Sequence, residues 1–203
     1  MEELRFSCTR CGNCCTDNST LVNLTYYDIL KIKNGLNLNV DEILEIVGFY
    51  IFDRKISQKD KEQLVLTPIE SEKGLAYIGL RKNQSGECIF YSSKKKKCLI
   101  YNLRPMFCQT FPFSFRIFNE SKDRFNPKLE IYYTRKGLDY CPGIDSNSPV
   151  IDYDYWINLG KKTLEYLKRN TIIIEKWNKQ VKGKKIIPSA KSFINLILKA
   201  NEI

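Results

Sequence analysis

The sequence predicts an α+β fold: a small antiparallel sheet and helices gathered around a cysteine-rich centre, with a helical C-terminal portion packed alongside. Three observations predict it. Short β-branched apolar runs crowd the middle of the chain. Capping residues precede apolar residues at helical spacing on either side of that stretch. Eight cysteines occur with no histidine, four of them packed into eight positions near the start.

The elements follow in order. Phe6 to Cys15 is short and polar and reads as a loop shaped by its cysteines. A helix is expected from Tyr26 to Asn34, with Thr25 as N-cap and Gly35 as the stop. Asp41 is expected to cap a second helix that carries Ile43, Leu44, Ile46 and Val47 and runs to about Phe52. Strands are expected at Leu64 to Ile69 and Leu75 to Leu80. Cys88 to Tyr91 and Cys98 to Tyr101 read as a hairpin whose tip holds Lys94, Lys95, Lys96 and Lys97. Further strands are expected at Phe113 to Phe118 and Leu129 to Thr134. Tyr153 to Asn170 is helical, and the pattern either continues to Lys179 or is broken by the β-branched run Thr171 to Ile174. Ser189 caps a last helix to about Ala200. The chain therefore divides into residues 1–145, which hold every cysteine, and a helical extension over 146–203.

Composition narrows the chemistry. With 203 residues, 43% of them hydrophobic, the chain can bury a core without cysteine staples. No hydrophobic leader precedes Cys8, and no apolar run reaches the roughly 18 residues that span a bilayer. These features predict a cytoplasmic protein with no membrane partner and with reduced thiols. The formal charge of +10 admits nucleic acid as a partner, through Lys94 to Lys97 and the segment Lys182, Lys184 and Lys185. Such runs are more often solvated turns.

Cys8, Cys11, Cys14 and Cys15 form C-x-x-C-x-x-C-C. A C-x-x-C turn brings two thiolates to one metal, with backbone amides left to bond the sulfurs. Cys14 and Cys15 are adjacent, so their side chains are expected to diverge, either onto two neighbouring centres or with one thiol left over. A four-coordinate site uses four thiolates, so Cys88, Cys98, Cys108 and Cys141 supply a natural second half. Isolated cysteines are also ordinary small core residues, but the polar company of Thr9, Arg10, Gly12 and Asn13 argues against that for the first four. The fold is thus expected to organise around a cysteine-ligated metal centre. All-sulfur ligation suits zinc or an iron–sulfur cluster. Either centre is anionic, and Arg10 and Arg104 are close enough in sequence to the ligands to offset that charge from behind them.

The combination C-x-x-C-G-x-C-C, Cys88, C-x-I-Y-x-x-R-P-x-x-C from Cys98 to Cys108, F-P-F from Phe111 to Phe113 and then Cys-Pro-Gly resembles the YkgJ-like cysteine-cluster proteins, a family of zinc- or iron-chelating domains. Leu24 to Ile29 also looks like their first helix. The resemblance covers about Phe6 to Gly143. It implies a ligand role for Cys8, Cys11, Cys14, Cys15, Cys88, Cys98, Cys108 and Cys141, in one centre or two. One branch of the family is similar to flagellin lysine N-methylases, which use S-adenosylmethionine and carry an iron–sulfur cluster. That branch, the eight thiols and the lack of histidine favour a 4Fe–4S cluster over zinc.

Three functions are open on this reading. One is methyl transfer from S-adenosylmethionine to lysines of a protein substrate, with Tyr26, Tyr27, Tyr132 and Tyr133 as candidate walls of an ammonium pocket. No glycine-rich nucleotide loop accompanies it. The second is a non-catalytic metal module whose binding energy stabilises an interaction surface for nucleic acid or protein. The third is redox sensing or metal handling.

Overall fold

The computed structural model describes residues 3–52, 65–117 and 128–200. It is an α+β structure of small antiparallel sheets, with helices in front of and behind them. The first helical turn, α1, is Asn13–Thr16 within the cysteine run. Helix α2, Tyr26–Leu36, starts at Thr25 as expected, in a reciprocal capping box with Asp28. It does not stop at Gly35: Asn37 takes the left-handed cap at φ 54°. Gly35 instead admits the Leu103 side chain, whose Cγ would lie 3.1 Å from any added Cβ.

Helix α3, Val40–Ile46, is capped by Asn39, not Asp41, because Asn39 and Glu42 exchange hydrogen bonds of 3.0 and 2.8 Å. Asp41 sits in the first turn and pairs with Lys191 at 2.7 Å. The helix ends early because Val47–Ile51 becomes strand β1, which pairs with β3, Gly74–Leu80, from Val47↔Leu80 to Ile51↔Ala76. Strand β2, Ile69–Ser71, completes the sheet in the order β1-β3-β2. The strand expected from Leu64 begins later, since Pro68 has no amide to give a ladder; Leu64 itself lies outside the described residues.

The hairpin pairs β4, Tyr91–Ser92, with β5, Lys97–Cys98, and a 3₁₀ turn follows at Tyr101–Leu103. Helix α4, Met106–Thr110, leads to β6, Phe113–Ile117, which pairs with β7, Leu129–Tyr133. Phe118, at the expected end of β6, lies outside the described residues. Helix α5 is Arg135–Tyr140, α6 is Tyr153–Lys182 and α7 is Ala190–Ala200. Ser189 accepts from the Ser192 amide at 3.0 Å, the expected cap.

Helix α6 passes through the Thr171–Ile174 run without a break. Ile174 is buried, buried Asn170 accepts from the Tyr26 amide at 2.9 Å, and the Thr171 hydroxyl bonds back to the Leu167 carbonyl. Tertiary packing there outweighs a propensity cost of a few tenths of a kcal/mol per residue. At about 45 Å long, α6 joins two cores. Trp177 and Ile174 pack with Ile78, Phe193 and Ile194 against the three-stranded sheet. Trp156 packs with Phe113, Ile131 and Ile151 against β6 and β7. Trp177 and Asn178 also bond the backbone at Pro68 and Glu70, covering the outer edge of β2. Among the described residues no helix is long and apolar enough to cross a membrane.

Candidate metal centre

Backbone hydrogen bonds bring the four cysteine-bearing segments together. The Ser7 amide donates to the Gly143 carbonyl and Phe6 to Pro149, both at 3.0 Å, which lays Cys8 beside the Cys141 turn. Any side chain on Gly143 would collide with the Ser7 carbonyl, so the close approach requires glycine there. Asn13 donates to the Tyr140 carbonyl at 3.0 Å and fixes α1 to the residue before Cys141. The Cys88 amide donates to the Cys15 carbonyl at 2.8 Å, which brings the hairpin to α1. Cys98 stands opposite Tyr91 in the hairpin ladder.

Cys108 is positioned from farther away. Asp28, fully buried on α2, accepts from the Met106 amide at 2.8 Å and so anchors the start of α4. Burial raises the Asp28 pKa, opposed by bonds from Thr25 and Met106 and by Lys31. Lys31 reaches the Arg104 carbonyl, closing the same corner.

All eight cysteines line two adjoining cavities. The larger, about 740 Å³, is bounded by Cys8, Cys14, Cys15, Cys88, Cys98 and Cys108. The smaller, about 50 Å³, is bounded by Cys8, Cys11, Cys14, Cys108 and Cys141. The structure therefore gathers the N-terminal run, the hairpin, α4 and the Cys-Pro-Gly turn around one region. It does not close them onto a point: among the described residues no three His, Cys, Asp or Glu side chains form a ready-made ion site.

The adjacent pair differs from expectation. Cys14 and Cys15, both in the single helical turn of α1, converge, with sulfurs 4.0 Å apart. That separation is close to the edge of a zinc–thiolate tetrahedron, about 3.8 Å for bonds of 2.3 Å. The bond from Cys15 stabilises the Cys14 thiolate and draws its pKa down to about 7, assisted by the Arg104 guanidinium. The same contact holds Cys15 protonated, with burial and Cys14, Cys88 and Cys108 acting in the same direction. Burial also raises Cys88, Cys98 and Cys141, and it raises Cys108 most plainly. The second cause is mutual: the nearby thiols Cys14, Cys88 and Cys98 oppose ionisation of Cys108, while Cys11, Cys14 and Cys8 oppose that of Cys141. Eight thiolates this close are incompatible with one another unless a cation lies between them, and a bound metal reverses that logic. The donor set therefore fits a thiophilic metal.

Both arginines named from sequence reach this region. The guanidiniums of Arg10 and Arg104 lie over the Tyr101 ring, 4.5 and 3.7 Å from its centroid, and both residues border each cavity. Tyr101, Tyr91 and Asp28 were not singled out as site residues in the sequence. The signals were present, as a tyrosine inside the Cys98–Cys108 motif and as Asp28 three positions after a threonine cap. The four tyrosines offered as an ammonium pocket do not meet. Tyr27 stacks on Tyr166 at 4.0 Å, Tyr133 stacks on Phe113 at 5.1 Å, and Tyr132 is exposed beside Arg116. The basic segments have separate settings: Lys182 pairs with Glu70 at 3.3 Å, while Lys94, Lys95 and Lys96 form the hairpin tip and Lys97 opens β5.

Residues 7–141 match the family model CxxCxxCC, described as "Putative zinc- or iron-chelating domain". The chain is also similar to "Uncharacterized protein MJ0661" of Methanocaldococcus jannaschii, at 29% identity over 165 residues, which is 81% of this chain and 71% of that protein. No solved structure matches it.

Proposed function

The chain belongs to the CxxCxxCC family of zinc- or iron-chelating domains, and from that premise we propose that it binds metal through two adjoining thiolate sets. One is Cys15, Cys88, Cys98 and Cys108; the other is Cys8, Cys11 and Cys141, with Cys14 between them. The observation that carries this reading is that all eight cysteines border two contiguous cavities that share Cys8, Cys14 and Cys108. The residues do the holding. Cys14, whose pKa is drawn down to about 7, is a ligand available near neutral pH, and Arg104 favours its charged form. The half-buried thiols Cys88, Cys98 and Cys108 lose their protons as metal enters.

The larger set is read as holding an iron–sulfur cluster rather than one zinc ion. Its thiols surround a space much wider than one ion fills, and no ready-made ion site stands among the described residues. An iron–sulfur core supplies one-electron chemistry, whereas zinc would supply only a cross-link. Methyl transfer from S-adenosylmethionine to protein lysines rests on the family branch alone, and nucleic acid as partner rests on the hairpin lysines alone.

Anaerobic purification with a visible spectrum and iron, sulfide and zinc analysis tests this. Iron and sulfide in equal amounts, lost on Cys98→Ser, are expected. A colourless protein with zinc and no sulfide would replace the cluster by zinc and keep the thiolate reading. Absence of iron, sulfide and zinc alike, with thiols freely alkylated in the native fold, would remove the proposal.

A further inference from the structure

We propose that the larger cavity seats, beside the metal centre, a small anionic molecule bearing carboxylate or phosphate groups, held by Arg10, Arg104, Lys95 and Lys97. This deepens the metal reading and rests on it, because the cavity is one that the thiolates border.

Volume is the first argument. At about 740 Å³ the cavity lies within the range of small-molecule sites, roughly 300–1,000 Å³. A water molecule accounts for about 30 Å³, so an inorganic core of a few atoms leaves most of the space unfilled. The floor is apolar, with Leu80 and Ile100 nearly fully buried beneath it. An apolar floor with a few convergent charges is the usual construction of a ligand site.

Charge is the second argument. Four cationic side chains border the cavity, and none of them has an ion-pair partner among the described residues. Arg10 and Arg104 both stack on one ring, Tyr101. Stacking on the ring orients both guanidiniums, and the Arg104 Nε bond to the Tyr101 carbonyl at 3.0 Å fixes the second. Two forks held in place suit the oxygens of a carboxylate or phosphate. No acid lines the cavity among the described residues, and Glu87 and Asp28 are engaged elsewhere: Glu87 accepts from Ser93 and Asn83, and Asp28 faces Lys31.

A rival account makes these cations mere balance for the thiolates. Lys95 and Lys97 border the cavity in addition to the two arginines beside the cysteines, so the cations there exceed that pair.

The test uses the full, metal-loaded chain and calorimetric titration with citrate, inorganic pyrophosphate and, as a small-ion control, sulfate. Saturable binding of citrate or pyrophosphate is expected, tighter than sulfate, and the better of the two identifies the anion class. Arg10→Gln and the pair Lys95→Gln/Lys97→Gln should each weaken it by about tenfold or more, the lysine pair with metal content unchanged. Lys94→Gln/Lys96→Gln, on the same turn but away from the cavity, should not. Circular dichroism confirms that each variant is folded. Absence of binding at millimolar probe, or equal loss in all the lysine variants, overturns the proposal. Metal analysis of the same samples separates the two failures: metal-replete protein that ignores the anions sinks this site alone, and metal-free protein sinks the reading beneath it.

Discussion

The Cys88 amide donates to the Cys15 carbonyl at 2.8 Å, so the end of the N-terminal cysteine run and the start of the hairpin are joined by backbone, with no sulfur involved. The cysteine region is thus partly assembled before any metal enters. Metal then completes an arrangement rather than creating it, and its removal should loosen one part of the molecule more than another.

That unevenness can be read from the two tryptophans. Trp156 stands 6.0 Å from Phe6 in the core next to the cysteine run, whereas Trp177 is buried against Phe193 in the other core. Chelation under reducing conditions is expected to red-shift the emission of a Trp177→Phe variant, which retains Trp156. A Trp156→Phe variant should change far less. Equal shifts in both would show that the metal supports the whole fold.

Gly12→Ala should lower stability by about 2–3 kcal/mol, combining a left-handed backbone with a close contact. Gly12 has φ +86°, and an added Cβ would meet the Tyr91 ring at 2.8 Å. Metal content should fall with it, because the residue starts α1 and aims Cys14 and Cys15. Denaturant unfolding and metal analysis check both effects.

Asp28→Ala removes the acceptor of three bonds, from the Thr25 amide, the Thr25 hydroxyl and the Met106 amide. Leaving these buried donors unpaired should cost about 2–4 kcal/mol. Asp28→Asn keeps an acceptor oxygen and should cost about half as much. The seat of Cys108 is lost in the first case, so its thiol should alkylate faster in the alanine variant.

Asp17 gives a pH dependence of known sign. Its carboxylate accepts from Lys136 at 2.7 Å and from Ser19 and Thr20, and these bonds hold its pKa well below the usual carboxylate range. A depressed folded pKa means that the unfolded chain binds the proton first. The stabilisation is complete above the ordinary value of 3.8 and is lost as pH falls below it. Lys136 is partly exposed, so the contribution is about 1 kcal/mol. Lys136→Met should therefore lower stability by about 1 kcal/mol near neutrality and change it little in strong acid, which flattens the acid limb of stability against pH.

In metal-free protein, Cys14 should be the first thiol alkylated near pH 7, since its pKa is drawn down to about 7 by Cys15 and then by Arg104. Arg104→Gln should slow that reaction. Peptide mapping by mass spectrometry identifies the site, and preferential labelling of Cys88 or Cys108 would contradict the charge arrangement.

Local signals carried far. Thr25 with Asp28, the apolar run before Leu80, the short hairpin around four lysines and Ser189 were each legible, because caps, turns and alternation are short-range devices. Where two local signals overlapped, neighbours decided. Val47 fits a helical face as well as a strand, and pairing with Leu80 chose the strand. Thr171 to Ile174 would weaken an isolated helix, and burial of Ile174 kept it whole.

By itself the sequence determined that eight thiols, in a polar run and three later segments, point to soft-metal chemistry, since thiolate donors and their spacing are written in residue identity. Only the tertiary structure decided that those segments border two joined cavities, that Cys14 and Cys15 converge, and that Arg10 and Arg104 share Tyr101. The reason is distance along the chain. Bonds such as Ser7 to Gly143, Cys88 to Cys15 and Met106 to Asp28 close loops of roughly 70 to 140 residues, and no local pattern specifies which partner a backbone amide will find.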